Sequence, residues 1–283
     1  MTKLFPLIAT LAFIGIGTTA NANTTDALGL LILQDGEADS EKTAAPPKKN
    51  AKPSNMYLKA DFGLNLLQDV KMRETLVTPA PRIAFRPGID SRFGLGVNLS
   101  ETNKGTHVER FAMEFTAGFM WNDIESISSN TNEFDPFGPL FPLGFYAYSG
   151  GEGRMMQVPL DVDFIWTVYE TDRISISVNT GIGVQWTDLD LKNVSFNRYN
   201  DRGIIQSTTM FSASGSSVGF HYQAGFDVLF NITSGIEFGG YFRYSGTPAS
   251  SMGKITGTSV PFGELKIAEI NNFSVGARLT FAF

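Results

Sequence analysis

The last residues of the chain, 271–283, alternate between apolar and polar side chains. The apolar positions are Phe273, Val275, Ala277, Leu279, Phe281 and Phe283. The intervening positions are small, polar or charged: Asn272, Ser274, Gly276, Arg278, Thr280 and Ala282. A period of two is the period of a β-strand. A strand with one oily face and one wet face, ending on an aromatic residue, is typical of a barrel in a lipid bilayer.

Seven earlier segments show the same period: 56–66, 92–99, 110–121, 156–166, 174–186, 218–230 and 236–244. In a soluble β-sandwich the apolar faces would pack inward against each other. Here the polar faces carry charges of both signs and many glycines, as a narrow barrel lumen requires. We therefore predict an all-β fold, a membrane-spanning, antiparallel, up-and-down barrel of eight strands whose apolar faces contact lipid.

The tryptophans support the lipid assignment. Trp121, Trp166 and Trp186 all fall on the oily face near the end of a predicted strand. Tryptophan is enriched at membrane–water interfaces, because its ring is apolar and its N–H is polar. We predict that these three residues form an aromatic girdle.

The lengths of the connections alternate along the chain. They are long after the first, third, fifth and seventh predicted strands, and short at 101–107, 167–173 and 231–234. Outer-membrane barrels place long loops outside the cell and short turns in the periplasm. With an even number of strands, both termini would then be periplasmic.

The N-terminal residues predict export. Lys3 precedes an apolar run, Leu4 to Ile16, that is too short to span a bilayer as a helix, and Ala20-Asn21-Ala22 fits a cleavage site. We predict a signal peptide at 1–22, a disordered periplasmic linker at 23–54 and a barrel domain at 55–283. The linker has an acidic block followed by a Pro/Lys block, and the role of its apolar patch at 28–33 is open.

Composition excludes several classes of function. The chain has no Cys among its 283 residues, which excludes thiolate metal sites and a Cys nucleophile. The formal net charge of -6 and the lack of a basic stripe argue against a nucleic-acid partner. Beyond the N-terminal residues there is no stretch of about 18 consecutive apolar residues, so a membrane-spanning form of this chain has to be a barrel.

Two stretches, Val158-Pro159-Leu160-Asp161-Val162 and Gln223-Ala224-Gly225-Phe226-Asp227, are similar to recurrent segments of a known group. Together with the signal peptide, the eight strands and the terminal Phe, they resemble the small eight-stranded outer-membrane barrels of Gram-negative bacteria. The nearest match is the opacity-protein-like group, with its relatives of the outer membrane protein W and X types. The resemblance covers about residues 55–283.

The resemblance implies a location in the cell outer membrane, in contact with outer-membrane lipid and lipopolysaccharide. In this family the terminal Phe belongs to a signal that the barrel-assembly machinery recognises. Carried over to this chain, that signal is Phe283, with Phe281 and Leu279 on the same face.

The lumen of the predicted barrel is rich in charge. The charged residues at inward positions are Lys59, Asp61, Arg92, Arg110, Glu114, Asp161, Asp163, Asp227, Glu237, Arg243 and Arg278, with His221 beside them. An eight-stranded barrel is just wide enough for side chains, and buried charges must pair. We predict a salt-bridged core that closes the lumen, with Arg110, Glu114, Asp163 and Arg278 in one network. The alternative is a narrow pore for small apolar or cationic solutes.

A third hypothesis is a lipid-modifying barrel enzyme with Ser/His/acid chemistry. Such an enzyme needs its histidine near the oily face. His221 falls on the lumen face with no Ser two residues away, and His107, the other histidine, falls in a short turn. Two histidines are also little material for a metal site. We therefore expect no catalytic residues, no metal and no cofactor.

The second long loop, 134–148, is unusually apolar. Its prolines at 136, 139 and 142 forbid a regular helix. Its aromatic residues are Phe134, Phe137, Phe141, Phe145, Tyr146 and Tyr148. Exposed apolar clusters mark interfaces, so the loop either binds an apolar ligand or a partner surface, or folds onto its own rim or onto the third loop, which contains Phe196, Tyr199 and Phe211. The predicted role is structural or surface-interacting and non-enzymatic, with a surface ligand that the sequence does not identify.

Overall fold

The structure is a computed structural model that describes residues 55–73, 81–101, 110–129, 146–199, 204–233, 235–252 and 266–283. These residues form twelve strands. They are β1 (Met56–Leu67), β2 (Val70–Arg73), β3 (Pro81–Phe85), β4 (Gly88–Glu101), β5 (Arg110–Ser129), β6 (Tyr146–Glu170), β7 (Ile174–Tyr199), β8 (Ile205–Thr233), β9 (Ile236–Thr247), β10 (Ser250–Ser251), β11 (Lys266–Ile267) and β12 (Ile270–Ala282). No helix in these ranges is long and apolar enough to cross a membrane.

Eight of the strands in the described ranges close into a ring. Their order is β5-β4-β1-β12-β9-β8-β7-β6, and β6 pairs again with β5. Every pairing in the ring is antiparallel. The predicted eight-stranded up-and-down barrel is therefore confirmed. All eight predicted segments lie in the ring strands.

The first and last ring strands close the barrel against each other. β1 pairs with β12 from Tyr57 opposite Ala282 to Leu67 opposite Asn272. The start of β1 and the end of β12 therefore lie at the same end of the barrel, together with the turn 171–173 that joins β6 to β7. We call this the turn end, and the opposite end the loop end.

Large apolar side chains cover the outside of the ring. On β12, Val275 and Phe281 are exposed, whereas the intervening Ser274 and Arg278 are buried in the lumen. The same pattern runs round the barrel, with exposed side chains that include Leu58, Phe62, Phe93, Phe115, Leu160, Ile182, Val184, Phe220, Phe226 and Phe238. An apolar exterior around a polar interior is the surface of a membrane-spanning barrel, and we call this band the lipid belt.

The strands are longer than predicted. β5 continues to Ser129, β6 begins at Tyr146, β7 continues to Tyr199 and β8 begins at Ile205. Most of the third predicted loop, and parts of the second, are therefore strand. Four short strands, β2, β3, β10 and β11, extend the wall of the barrel at the loop end.

Three predictions fall on residues outside the described ranges. They are the signal peptide at 1–22, the linker at 23–54, which includes the apolar patch 28–33, and the loop aromatics Phe134, Phe137, Phe141 and Phe145. His107 also lies outside these ranges.

Candidate functional site

Asp61 is the centre of the lumen network. Its two carboxylate oxygens accept hydrogen bonds from Arg278 Nε at 2.8 Å and Nη2 at 2.9 Å, and Arg243 Nη2 donates at 2.6 Å. Asp61 is completely buried on the inner face of β1, and the two arginines come from β12 and β9. Fork-shaped guanidinium groups suit this role, because each can bind two acceptors at once.

Arg243 also links Asp61 to Asp90. Its Nη1 donates to Asp90 Oδ2 at 3.2 Å, and Tyr241 Oη donates to the same oxygen at 3.4 Å. Arg92 Nε donates to the other oxygen of Asp90, Oδ1, at 3.3 Å. The network therefore continues from β9 across the lumen to β4.

Arg92 carries the network to the opposite wall. Its Nη1 donates to Asp161 at 3.3 Å and to Gln223 Oε1 at 2.5 Å. His221 Nδ1 lies 2.7 Å from the other oxygen of Asp161. Gln223 in turn donates to Asp163. Strands β4, β6 and β8 are thereby tied together through side chains alone.

The remaining ion pairs of this lumen network lie closer to the turn end. Lys59 pairs with Glu114, which also accepts a hydrogen bond from Tyr57 Oη at 2.8 Å. Arg278 Nη1 donates to Asp227 Oδ2 at 2.6 Å. Lys59 also lies 3.9 Å from Asp163. All of these charged side chains are buried.

We call this network the charged layer. Among the described residues it consists of Lys59, Asp61, Asp90, Arg92, Glu114, Asp161, Asp163, His221, Asp227, Arg243 and Arg278. Six carboxylates face four lysine and arginine side chains, so the layer has two negative charges in excess when His221 is neutral. Buried charges of this density are stable only when they are paired and hydrogen-bonded.

A layer of amide side chains lies above the charged layer, towards the loop end. Asn65 donates to Asn122 at 2.6 Å and to Asn272 at 3.0 Å, Asn272 donates to Gln157 at 2.9 Å, and Gln185 donates to Gln157 at 2.8 Å. All five side chains are buried. This amide layer fills the lumen from five different strands.

Above the amide layer the lumen becomes apolar. The buried cluster there consists of Leu67, Val70, Met72, Ile83, Phe85, Ile124, Ile127, Tyr148, Met155, Leu189, Leu191, Val194, Phe211, Ala213, Met252, Ile267 and Ile270. We call it the apolar layer. The predicted strand segments end before this layer, in which the inward face is packed like the core of a soluble protein.

A cavity lies at the turn end, below the charged layer. It has a volume of about 680 Å³ and includes Arg110, Glu237, Asn231 and Asp172 at its rim, and Glu114, Asp227 and Arg278 deeper in. We call it the vestibule. Arg110 bridges Glu237 at 3.4 Å and Glu170 at 3.8 Å across this rim.

The predicted lumen residues divide between these two places. Nine of the eleven lie in the charged layer, whereas Arg110 and Glu237 lie at the vestibule rim with half-buried side chains. Within the described ranges, the hypothesis that Arg110, Glu114, Asp163 and Arg278 form one network is wrong for Arg110. Among the described residues, Arg110 forms ion pairs with the rim carboxylates Glu170 and Glu237.

Sequence reasoning missed Asp90 and the amide layer. Asp90 lies two residues before Arg92, so extending the period of two by one step would have found it. The amides carry no formal charge and are spread over five strands. Their inward direction follows from the period of two, but their contact with one another depends on how the strands are staggered round the ring.

The three predicted girdle tryptophans lie at two levels of the lipid belt. Trp121 and Trp186 lie at its loop-end border and Trp166 lies towards the turn end, where it pairs with Phe111. Val158 on β6 lies opposite Trp186 and so marks the loop-end border of the lipid belt. From Val158 to Trp166, near the other border, β6 has nine residues. This length matches a transmembrane β-strand of about 9–11 residues.

Polar groups begin directly beyond the loop-end tryptophans. Arg154 lies 4.6 Å from the centre of the Trp121 ring, and Trp121 Nε1 donates to Asp123 at 3.0 Å. Partial burial raises the pKa of the Asp188 carboxyl, an effect that Arg154 opposes and Asp190 reinforces. Such a border is expected where a hydrocarbon core gives way to headgroups.

The aromatic residues of the second predicted loop have different surroundings. Tyr146 and Tyr148 lie in β6. The Tyr148 side chain is buried in the apolar layer, where its ring packs edge-on against that of Phe211, with the two ring centroids 6.1 Å apart. For Tyr148 this contact matches the alternative in which the segment folds back onto the stretch that contains Phe211, rather than an exposed binding surface. Phe196, Tyr199 and Phe211 lie in β7 and β8 rather than in a loop.

The terminal aromatic positions point outward. Leu279 lies opposite Ala60 on β1 and Phe238 on β9, and Phe281 and Phe283 are exposed on the same face. The backbone N–H of Phe283 donates to the carbonyl of Met56 at 3.2 Å, which attaches the end of the chain to the start of β1.

His221 is buried in the lumen, and Nδ1 contacts Asp161. Among the described residues, no group of three or more His, Asp or Glu side chains is arranged to hold a metal ion. The arrangement around His221 is a buried hydrogen bond to Asp161 within the charged layer.

No protein-family model matches the chain. No curated protein sequence matches it either. Among solved structures, the chain is similar to the outer membrane protein AlkL in lipid bilayers, at 13% identity and a TM-score of 0.44, over 86% of this chain and 97% of that chain. It is also similar to the outer membrane protein OprG from Pseudomonas aeruginosa, at 11% identity and a TM-score of 0.42, over 81% and 97%.

A third similar structure is Neisserial surface protein A, at 9% identity and a TM-score of 0.39, over 82% of this chain and 100% of that chain. The barrel assignment made above rests on the strand pairing of this chain itself. At these scores the likeness carries no information on activity or ligand.

Proposed function

We propose that this chain is a non-enzymatic outer-membrane protein. Its barrel is closed to solutes, and it acts as a structural or surface-interacting protein through the part of the barrel and the loops that extend beyond the bilayer. Its turn end faces the periplasm, with both chain termini, and its loop end faces the outside.

The lipid belt supports the membrane location. A water-soluble protein rarely exposes a contiguous apolar surface of more than a few hundred Å², whereas here exposed Phe, Leu, Ile and Val side chains surround the ring. The signal peptide expected from residues 1–22 supplies the export route.

The observation that carries the proposal is the stacking of three packed layers along the lumen. A solute entering from the turn end meets the charged layer, then the amide layer, then the apolar layer. An ion would have to cross the apolar layer without hydration, and an apolar solute would have to cross the buried charges. Both steps are strongly unfavourable.

The part beyond the lipid belt supports a role outside the bilayer. β6, β7 and β8 continue past the loop-end tryptophans for about ten residues or more, with buried apolar residues such as Leu189 inside and exposed residues such as Ser214 outside. The apolar layer gives these walls a core of their own, so they can hold the loops rigidly above the membrane.

Conductance in planar lipid bilayers tests the closed lumen. The purified, folded barrel should give no discrete channel steps at high protein load, because buried side chains fill the lumen at all three layers. A porin inserted into the same bilayers is the positive control. Uniform steps that scale with the amount of inserted protein would contradict the proposal and favour the narrow-pore alternative.

A further inference from the structure

The outer surface directly beyond the lipid belt is basic on one side of the barrel. Cationic side chains reach it from β2, β3, β11 and the link between β3 and β4: Lys71, Arg82, Arg86 and Lys266. Their sequence neighbours, such as Met72, Ile83 and Ile267, are buried in the apolar layer. Because neighbouring side chains of a strand point to opposite faces, the basic side chains lie on the outside. We call this surface the basic patch.

The basic patch carries like charges side by side. Lys71 and Arg82 lie directly opposite each other in the pairing of β2 with β3. Like charges directly opposite across two strands destabilise a sheet. The exposed acidic residues next to the patch are Asp69 and Glu269, and Glu269 accepts a hydrogen bond from Tyr222. The patch therefore has an excess of positive charge that an anionic partner would compensate.

The surface of β5, β6 and β7 has the opposite charge. Its exposed and half-buried acidic side chains are Asp123, Glu125, Glu152, Asp188 and Asp190. Two basic side chains, Arg154 and Lys192, lie among them, and Lys192 pairs with Asp190 at 3.3 Å. An excess of negative charge remains, and we call this surface the acidic patch.

The two patches lie at a similar height above the lipid belt. Arg86 is level with Asp123, because its backbone N–H donates to the Asp123 carbonyl at 2.9 Å. On β7, Asp190 lies four residues beyond the girdle tryptophan of that strand, and Lys71 on β2 lies five residues beyond Leu66, an exposed belt residue of β1. A strand rises about 3.3 Å per residue, so both patches occupy the band directly outside the hydrocarbon.

We propose that copies of this chain associate side by side in the membrane, with the basic patch of one copy against the acidic patch of the next. The bilayer holds all copies upright and at one depth, so patches at a similar height meet without tilting. Charge complementarity across an interface guides and orients association. Side-by-side contact requires the membrane location that the proposed function assumes, and it does not depend on the closed lumen.

A second copy accounts for both patches, whereas an anionic glycolipid accounts for one. Phosphate groups in the headgroup layer would be attracted to the basic patch and repelled by the acidic patch. A partner that carries both charges at the same height complements both surfaces. A second copy of this chain is such a partner.

The contact is head-to-tail, because the two patches are different surfaces on different strands. A copy that uses its basic patch in one contact still has its acidic patch for another. Contacts of this kind form closed rings or open rows rather than two-fold dimers. We therefore expect assemblies of more than two copies.

Energy transfer between labelled copies tests the association. The chain has no Cys, so the full chain can carry a donor or an acceptor dye on a single cysteine at Asn55, at the turn end and away from both patches. The two preparations are reconstituted together into vesicles with a large excess of phosphatidylcholine. Transfer should exceed the level for random mixing and should fall as NaCl is raised. Transfer at the random level at low salt would overturn the proposal.

Charge reversal identifies the surfaces. Lys71→Glu/Arg82→Glu reverses the basic patch, and Glu152→Lys/Asp190→Lys reverses the acidic patch. Each variant alone should lower the apparent association constant by about tenfold or more, because like charges then face each other. A mixture of the two should restore transfer, because the reversed patches complement each other. Arg173→Glu, exposed at the turn end, is the matched control and should associate like the parent.

The rescue is the deciding result. Absence of restored transfer in the mixture, with both variants folded by circular dichroism, would overturn the proposal. Arg82→Glu and Glu152→Lys are the corresponding single changes if a double variant does not fold. They should show the same loss and the same rescue at smaller amplitude.

Cross-linking locates the contact. Ala84 lies on the outer face between Arg82 and Arg86, and Ser214 lies opposite Asp190 in the pairing of β7 with β8. Ala84→Cys and Ser214→Cys, reconstituted together and treated with a short bismaleimide, should give more mixed pairs than random collision does. A random proportion of mixed and like pairs would contradict the head-to-tail contact.

Vesicles that contain lipopolysaccharide test the other occupant. Retention of lipopolysaccharide by the parent but not by Lys71→Glu/Arg82→Glu, together with no energy transfer between parent copies, would assign the basic patch to glycolipid phosphate and overturn the proposal. Insertion into vesicles without energy transfer would contradict only this interface. Failure of the folded parent to insert would contradict the membrane location, and channel steps would contradict only the closed lumen.

Discussion

Arg243 shows how a single residue can connect the walls of a narrow barrel. It is buried and binds Asp61 and Asp90 with different nitrogens of one guanidinium group. Both carboxylates are buried, so bulk water cannot replace that contact. The value of the arginine therefore lies in preventing two buried negative charges from facing each other without a cation between them.

We predict that Arg243→Ala lowers the free energy of unfolding by about 3–5 kcal/mol, the usual cost of removing one partner of a buried ion pair. Urea titration of the refolded barrel in lipid vesicles, followed by tryptophan fluorescence, measures it. Arg110→Ala is the matched control. It removes the same side chain from a half-exposed rim pair and should change the free energy of unfolding by no more than about 1 kcal/mol. Similar losses in the two variants would show that the charged layer is not a buried network.

Glycine at inward positions has a related role in packing. A Cβ added at Gly96 would clash with the Tyr57 ring. Tyr57 fills the space that this glycine leaves on the neighbouring strand, and its hydroxyl reaches Glu114 from there. The absence of a side chain at one position thus makes room for a large one opposite.

The long strand β7 has two parts that carry their apolar side chains on opposite faces. On β7, Ile182 and Val184 are exposed in the lipid belt, whereas Leu189 and Leu191 are buried inside the barrel beyond Trp186. From Ile182 to Leu191 the inward and outward positions keep the same alternation, but the surroundings outside the barrel change from hydrocarbon to water. The apolar side chains therefore move from the outer face to the inner face.

This change explains what the sequence could predict about the strands. The period of two located all eight ring strands, because lipid requires one continuous apolar face. The same pattern predicted strand ends that are too early at the loop end. The outer apolar face stops at the tryptophans, and beyond them the apolar side chains lie on the inner face. A search for a continued oily face ends at Trp186, although β7 continues to Tyr199.

We predict that residues 134–145 can be replaced by a Gly/Ser segment of equal length without loss of the barrel, whereas a deletion through Tyr148 is destabilising. Tyr148 packs against Phe211 in the apolar layer, and losing a buried aromatic side chain costs about 3–5 kcal/mol. Heat-modifiable migration on gels and urea titration measure both variants.

The same replacement tests the proposed surface role. Cells that display the 134–145 replacement should lose attachment to surfaces that cells with the parent protein bind, while the amount of folded barrel is unchanged. Attachment that is equal in the two strains would show that this loop does not carry the interaction. In the stability test, equal free energies of unfolding for the 134–145 replacement and the deletion through Tyr148 would show that Tyr148 does not contribute to the apolar layer.

The whole molecule combines three environments along one axis. The belt faces hydrocarbon, the lumen holds charges and amides at membrane depth, and the loop end holds an apolar core. The inward direction of most lumen charges followed from the sequence. Which of them pair did not, because pairing across the lumen depends on the stagger of the closed ring. Arg110, for example, has an inward position like Glu114 but lies too near the turn end to reach the network.

Lipid contact of the belt is the claim on which this account depends most. The chain has no Cys, so single cysteines can be introduced cleanly at Ile182, which is 54% exposed in the belt, and at Ser214, which is exposed beyond the loop-end tryptophans. Each variant is labelled with bimane and reconstituted into vesicles that contain brominated lipid. We predict strong quenching of the label at position 182 and little at position 214. Equal, weak quenching at both positions in the folded protein would contradict the account, because the apolar exterior would then not face hydrocarbon.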